Sequence, residues 1–96
     1  MTAEFKEVVI YTTLLCPFCL RAKRLLENKK VSYKEISVDR DRVKRQEMIQ
    51  KSKRLTVPQI WVGNIHVGGW DELSALNRAG KLDSFLADSS SALETE

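Results

Sequence analysis

Cys16 and Cys19 are the only cysteines in this chain of 96 residues, and they are separated by Pro17 and Phe18. The pair follows shortly after the apolar run 8–11. At this position a strand should give way to a helix. Free backbone N–H groups and the positive end of the helix dipole stabilise a thiolate at a helix start. Cys16 is therefore predicted to be the attacking sulfur, and Cys19, one turn further on, to displace whatever Cys16 has captured.

Zinc binding and a structural disulfide explain this cysteine pair less well than redox chemistry does. A four-cysteine zinc site is impossible with two cysteines, and the single histidine, His66, lies far away in sequence. A disulfide across so short a loop would constrain little of the unfolded chain. Two unrelated buried thiols are the remaining alternative. We interpret the pair as a redox-active dithiol and expect no bound metal.

The segment Thr56-Val57-Pro58 opens a predicted strand with a proline. Proline removes one ladder donor, which a central strand tolerates badly. If the bond before Pro58 were cis, the polar backbone groups of Val57 would turn outward, where an extended peptide could pair with them. An ordinary trans proline at a strand start is the commoner alternative.

The segment 68–71 combines two adjacent glycines with Asp71 at a predicted helix start. Adjacent glycines allow another backbone to approach closely. The Asp71 carboxylate could accept the ammonium group of a ligand, while the free N–H groups of the helix hold a carboxylate. The alternative is that Asp71 only caps the helix.

The apolar periodicity predicts an α/β domain over residues 1–86 with the element order β-α-β-α-β-β-α, closed by a short helical turn at 82–86. Strands are predicted at 7–12, 31–38, 59–62 and 65–67, and helices at 17–30, 39–52 and 71–79. The first two strands should be parallel, and a hairpin turning at 63–64 should add antiparallel strands. The result is a four-stranded mixed sheet flanked by helices. The acidic, serine-rich stretch 87–96 is predicted to be disordered.

Several side chains are predicted to be structural. The second helix should turn Val43, Met48 and Ile49 toward the core. Trp61, on the third strand, should have a packing role in the core or half-exposed beside it. His66 has no evident partner in sequence, so it is predicted to be a surface residue without a role.

The chain carries 16 Lys and Arg against 13 Asp and Glu, a formal net charge of +3. Three acidic residues and no base lie in 87–96, so the rest of the chain is more basic. This favours anionic small molecules or acidic partner surfaces. The basic stretch 40–54 is interrupted by acids and lacks aromatics, so nucleic-acid binding is not expected. The sequence shows no signal-peptide pattern and no stretch of membrane-spanning length, which favours a cytoplasmic protein.

Together the three motifs resemble the dithiol glutaredoxins of the thioredoxin-fold superfamily, over about residues 8–86. The motifs are Tyr-Thr-x-x-x-Cys-Pro-Phe-Cys at 11–19, Thr-Val-Pro-Gln-Ile at 56–60 and Gly-Gly-x-Asp-x-Leu at 68–73. The resemblance implies a thioredoxin fold and glutathione-dependent reduction of disulfides. Cys16 would take up glutathione from a protein mixed disulfide, and a second glutathione would release it. With protein disulfides, Cys19 would resolve the mixed disulfide.

The resemblance also implies where glutathione binds. Pro58 should be cis, Val57 should pair with the cysteine backbone of glutathione, Trp70 and Asp71 should hold its γ-glutamyl end, and Arg54 should meet its glycine carboxylate. The full set implied is Thr13, Phe18, Arg54, Thr56, Val57, Pro58, Gly69, Trp70 and Asp71.

Three of these residues depart from the family pattern. Thr13 stands where the family usually has lysine, which predicts weaker glutathione binding and a less stabilised thiolate. Phe18 replaces the commoner tyrosine and loses a hydroxyl. Trp70 replaces a small residue or cysteine, so it should reshape the γ-glutamyl end of the groove.

The resemblance implies a monomer whose partners are glutathione and proteins that carry disulfides or bound glutathione, with ribonucleotide reductase as one candidate. Two other functions are alternatives. The chain could be a redoxin that depends on thioredoxin reductase, although the 68–71 segment argues for glutathione. Two chains could also share a [2Fe–2S] cluster through Cys16 and two glutathiones, a geometry that Pro17 restricts.

Overall fold

The computed structural model describes residues 6–87, and within that range it contains four strands and four helices. The strands are β1 (Val8–Thr12), β2 (Lys34–Ser37), β3 (Gln59–Val62) and β4 (Ile65–Gly68), and the helices are α1 (Pro17–Asn28), α2 (Arg42–Ser52), α3 (Trp70–Arg78) and α4 (Leu82–Leu86). Apart from Ala87, the predicted disordered tail lies outside the described residues. None of the helices in this range has the length and apolar character needed to cross a membrane.

The four strands form one mixed sheet in the order β2-β1-β3-β4. β1 is parallel to β2 and antiparallel to β3, and β3 and β4 form an antiparallel hairpin. These pairings confirm the predicted sheet and the predicted order of elements. The fold is that of a thioredoxin-like α/β domain.

Alternation along β1 supplies both faces of the sheet with core residues. Val8 and Ile10 belong to a buried cluster with residues of α1, α3 and α4, such as Leu26. Tyr11 belongs to a second cluster, to which α2 contributes the fully buried Met48. Helices therefore cover both faces, as predicted, and each buried aliphatic side chain contributes roughly 1.5–3 kcal/mol of hydrophobic stabilisation.

The second helix starts later than predicted, and one residue that was predicted to face the core is exposed. Asp41 caps α2, because its Oδ1 accepts the Lys44 N–H at 3.0 Å. Met48 is buried, whereas Val43, five residues earlier, is 74% exposed. Five residues rotate a helix by about 140° from its starting direction. The inward placement of Val43 was therefore wrong, whereas that of Met48 is confirmed.

β2 is also shorter than predicted, since it begins at Lys34 rather than Val31. Val31 is buried, but its N–H donates to the Leu26 carbonyl at 3.1 Å. It therefore closes the C-terminal end of α1 instead of pairing in the sheet.

The strand directions bring three separate chain segments to one edge of the sheet. β1 ends at Thr12, shortly before α1, and the antiparallel β3 begins at that same edge, at Gln59. β4 runs antiparallel to β3, so it returns to this edge at Gly68. The cysteine pair, the 56–58 segment and the start of α3 consequently meet there.

Candidate active site

Cys16 is the N-cap residue of α1, with an extended backbone at φ −132°. Its Sγ accepts the Cys19 N–H at 3.2 Å, in the way that a serine oxygen caps a helix. Pro17 follows at the first helical position, where its missing N–H leaves no bond unmade. The sulfur thus lies against the amide groups of the helix start, as the sequence predicted.

Cys19 differs from Cys16 in its surroundings. Only 1% of Cys19 is exposed, whereas Cys16 is partly exposed, and both are free thiols. Burial raises the pKa of Cys19 to about 12, with further increases from the hydrogen bond and the charge of Cys16. This asymmetry favours Cys16 as the sulfur that meets a substrate, with Cys19 held behind it as a thiol.

Iodoacetamide at neutral pH is expected to alkylate Cys16 at least about 100-fold faster than Cys19, because only an accessible thiolate reacts. Mass mapping of tryptic peptides at successive times measures both rates. In denaturant, where burial is lost, both cysteines should react at similar rates. Equal labelling in the folded protein would contradict the assignment of Cys16 as the accessible sulfur.

A cleft of about 270 Å³ lies between the 56–58 segment and the start of α3. Its lining residues are Phe18, Arg54, Thr56, Val57, Pro58, Gly69, Trp70, Asp71 and Glu72. All the residues predicted to contact glutathione line this cleft except Thr13. Thr13 instead lines a neighbouring hollow together with both cysteines.

The Val57–Pro58 peptide bond is cis, which confirms the prediction made from the family resemblance. The carbonyl oxygen of Val57 lies 3.8 Å from Cys16 Sγ. The side chain of the fully buried Gln59 donates to the Thr56 carbonyl at 3.0 Å. This hydrogen bond stabilises the 56–58 segment. Cys16 Sγ therefore contacts the wall of the cleft directly.

Arg54 forms an ion pair with Glu72 at the cleft. Its Nη1 lies 3.2 Å from Glu72 Oε1, which also accepts the Gly69 N–H at 2.7 Å. The Gly69 amide lowers the pKa of the Glu72 carboxyl, followed by the pairing with Arg54. Glu72 has no counterpart among the predicted site residues. The sequence did contain a signal for it, because a glutamate three residues after an N-cap commonly accepts a hydrogen bond from the backbone amide of the cap residue.

The two glycines allow the close approach that the sequence predicted. Gly68 has φ +121°, and a Cβ placed there would lie 2.6 Å from Glu72 Oε1. A Cβ on Gly69 would lie 3.1 Å from the Pro58 carbonyl oxygen. Any side chain at these positions would push into the Glu72 carboxylate or the cis-proline turn.

Asp71 lies inside the first turn of α3 rather than at its cap. The helix begins at Trp70 and its N-cap is Gly69. The alternative that Asp71 serves only as a cap is therefore wrong. Its carboxylate is on an exposed residue that lines the cleft.

His66 was predicted to be a surface residue without a role, but it is partly buried and its ring contacts two other side chains. Its Nε2 lies 2.7 Å from Gln59 Oε1, and its ring stacks on Trp61 with centroids 4.6 Å apart. Burial lowers the pKa of His66. Trp61 and His66 are cross-strand partners in the hairpin, and Trp61 packs edge-on against Tyr11. The pairing of β3 with β4 creates these contacts, and the packing role predicted for Trp61 is confirmed.

A dithiol at a helix start, facing a cis-proline turn at the edge of a thioredoxin-like sheet, defines a thiol–disulfide oxidoreductase. A family model described as Glutaredoxin matches residues 8–67, more than half of the chain. The chain belongs to the glutaredoxin family.

Individual relatives agree with this assignment. A glutaredoxin of Pseudomonas aeruginosa is 55% identical over 80 residues, which cover 83% of this chain and 95% of that protein. The solution structure of a Brucella melitensis glutaredoxin matches with a TM-score of 0.78 at 47% identity, covering 86% of this chain and 90% of that one. A crystal structure of a buckwheat glutaredoxin–glutathione complex matches with a TM-score of 0.76 at 28% identity, covering 82% and 74% of the two chains.

Proposed function

We propose that this protein uses glutathione to reduce protein disulfides and protein–glutathione mixed disulfides through Cys16 and Cys19. The observation that carries the proposal is the 3.8 Å contact between Cys16 Sγ and the carbonyl of Val57, a residue of the cleft wall. A ligand in this cleft could present its own sulfur to Cys16. The buckwheat neighbour, determined as a glutathione complex, supports the choice of ligand.

The groups around the cleft match the charges of glutathione, which carries two carboxylates and one ammonium. Arg54 offers a cation for the glycine carboxylate. The N–H groups at the start of α3 suit the γ-glutamyl carboxylate, and Asp71 suits the ammonium. The backbone of Val57 could form hydrogen bonds with the cysteine backbone of glutathione. Thr56, Pro58, Gly69, Phe18 and Trp70 complete the walls.

In the proposed reaction, the Cys16 thiolate attacks the glutathione sulfur of a mixed disulfide. A new disulfide forms between Cys16 and glutathione, and the substrate protein leaves as a thiolate. Cys16 is regenerated when the thiolate of a second glutathione attacks the bound glutathione sulfur, which leaves as glutathione disulfide. In sum, the mixed disulfide and one free glutathione become the substrate thiol and glutathione disulfide, and Cys16 is unchanged.

With a protein disulfide, Cys16 forms a mixed disulfide with the substrate and Cys19 resolves it. Besides burial, the hydrogen bond and charge of Cys16 raise the pKa of Cys19. A Cys16 sulfur engaged in a disulfide carries no negative charge, so ionising Cys19 then becomes easier. Cys19 therefore stays inactive until Cys16 has reacted.

The choice of reductant tests this proposal. A glutathionylated peptide is the substrate, and NADPH consumption is followed with glutathione plus glutathione reductase, or with thioredoxin reductase alone. We expect turnover in the first system only. Turnover with thioredoxin reductase alone would support the redoxin alternative instead.

The expected location of the protein is the cytoplasm, with ribonucleotide reductase as one candidate partner.

Thr13→Lys is expected to lower the KM for a glutathione mixed disulfide by up to about fivefold, the value of an exposed ion pair. The added ammonium would lie next to the dithiol, where it could meet the glycine carboxylate. Ser32→Lys is the control for net charge, because Ser32 is exposed and precedes β2 at the opposite edge of the sheet. Equal effects of the two lysines, or no change with Thr13→Lys, would contradict a local role for position 13.

A further inference from the structure

Two leucines without a role in the proposed glutathione chemistry directly precede the reactive cysteine. Leu14 is 84% exposed and Leu15 is 97% exposed. With Leu20, which is also exposed, they line a hollow of about 390 Å³ whose wall includes Cys16. Single exposed apolar residues are ordinary, but three around one reactive sulfur mark an interaction surface. We call Leu14, Leu15 and Leu20 the leucine surface.

The leucine surface is separate from the candidate glutathione cleft. The two hollows share no lining residue among those that the structure describes. Cys16 lies between them, because it lines one and contacts Val57 in the wall of the other. A substrate can therefore extend from the sulfur on the side away from the cleft.

The loop that carries the leucines is held in place. The Leu14 N–H donates to Asp39 Oδ2 at 2.7 Å, and the same oxygen accepts the Ser37 hydroxyl at 3.3 Å. The loop after β1 is thus tied to the segment that follows β2. Its side chains face solvent from an anchored backbone, which reduces the entropy lost when a partner binds.

We propose that the leucine surface docks the polypeptide that flanks the substrate cysteine, and that it selects protein disulfides with apolar residues beside that cysteine. This inference rests on the proposed function. A disulfide places the two Cα atoms about 5.5–6 Å apart. The residues that flank the substrate cysteine are then held close to the residues that flank Cys16, and Leu15 is one of these. Burying an exposed leucine against an apolar side chain favours such substrates.

A single-turnover reaction with two synthetic peptides tests this selectivity. Each peptide carries one cysteine as a mixed disulfide with 5-thio-2-nitrobenzoate, flanked by leucines in one peptide and by serines in the other, at equal net charge. The Cys16 thiolate attacks the peptide sulfur, and the nitrobenzoate leaves as a coloured thiolate. Cys19 loses its proton to solvent and attacks Cys16 Sγ, so the peptide leaves as a thiolate. The dithiol supplies both electrons.

The variants are a Leu14→Ser/Leu15→Ser double substitution, the single Leu15→Ser, and Ile65→Ser as the matched control. Ile65 is 47% exposed, and its pairing through Val62 to Val8 places it at the opposite edge of the sheet. The unsubstituted protein should react roughly tenfold faster with the leucine peptide than with the serine peptide, from burial of apolar area alone. The double variant should lose this preference, Leu15→Ser should lose part of it, and Ile65→Ser should keep it.

A small substrate separates this inference from the proposed function. All three variants should react normally with the mixed disulfide of glutathione and 5-thio-2-nitrobenzoate. Loss of reaction with every disulfide in the unsubstituted protein would overturn the proposed function itself. An unchanged peptide preference in the double variant would overturn the docking role alone. A dimer in sedimentation that the double variant abolishes, without an effect on preference, would assign the leucines to self-association and also overturn it.

Discussion

Cys16→Ser is expected to abolish reduction of a glutathione mixed disulfide, with a loss on the order of a thousandfold or more, as for removal of other enzyme nucleophiles. A serine hydroxyl at the cap of α1 would keep the helix, but it cannot form a disulfide. Cys19→Ser should keep most of this activity, because the second glutathione, and not Cys19, completes that reaction. The coupled glutathione assay measures both variants.

Reduction of a protein disulfide should require both cysteines, unlike reduction of the glutathione mixed disulfide. Reduction of such a substrate should fail in both variants. The Cys16→Ser protein cannot form the first disulfide, and the Cys19→Ser protein stops at a mixed disulfide that mass spectrometry can detect. Unfolding in urea provides the control for folding. An active Cys16→Ser protein, or equal losses on the glutathione substrate, would contradict the assigned order of attack.

Gly68→Ala is expected to lower the free energy of unfolding by about 3 kcal/mol, from backbone strain and from displacement of a neighbour. At φ +121° the backbone lies outside the regions that an L-residue adopts easily. The new Cβ would lie 2.6 Å from Glu72 Oε1. Glu72 would have to leave the Gly69 amide and Arg54, so the start of α3 loses its cap.

Gly80→Ala is the matched control for this substitution. Gly80 also has a positive φ, +73°, but among the described residues no atom beyond its chain neighbours lies within 4 Å of a Cβ added there. Gly80→Ala should lower the free energy of unfolding by only about 1 kcal/mol, because a non-glycine residue is less stable in the left-handed conformation. Urea unfolding measures both variants. In a Glu72→Ala background the cost of Gly68→Ala should shrink, and equal costs in both backgrounds would contradict displacement of Glu72.

The local elements of this fold could be predicted because their signals lie within a few residues. Strand β3 has the predicted bounds, Gln59–Val62, since Pro58 precedes it and the turn at 63–64 follows it. The cysteine pair was placed at a helix start because a predicted strand ends shortly before it, and Pro17 does occupy the first helical position. The cis state of Pro58 came from the family resemblance, since nothing in the local residues favours it over trans.

Burial and pairing could not be predicted in the same way, because they depend on residues distant in the chain. Val43 was placed inward, but it lies five residues from the buried Met48, so the two residues do not share the inner face of α2. His66 gained its partners from the register of β3 with β4. The pairing of Arg54 with Glu72 likewise joins two segments that only the fold brings together.

The amino-acid sequence by itself determined the chemistry available to this protein, since two thiols at the start of a helix suit disulfide exchange and three motifs indicate the glutaredoxin family. The tertiary structure decided how that chemistry is arranged. Antiparallel pairing of β3 with β1 and β4 brings the motifs to one edge of the sheet. Packing buries Cys19 beneath Cys16 and leaves Leu14 and Leu15 exposed. Solvent access is a property of the assembled chain, so neighbouring residues alone could not reveal it.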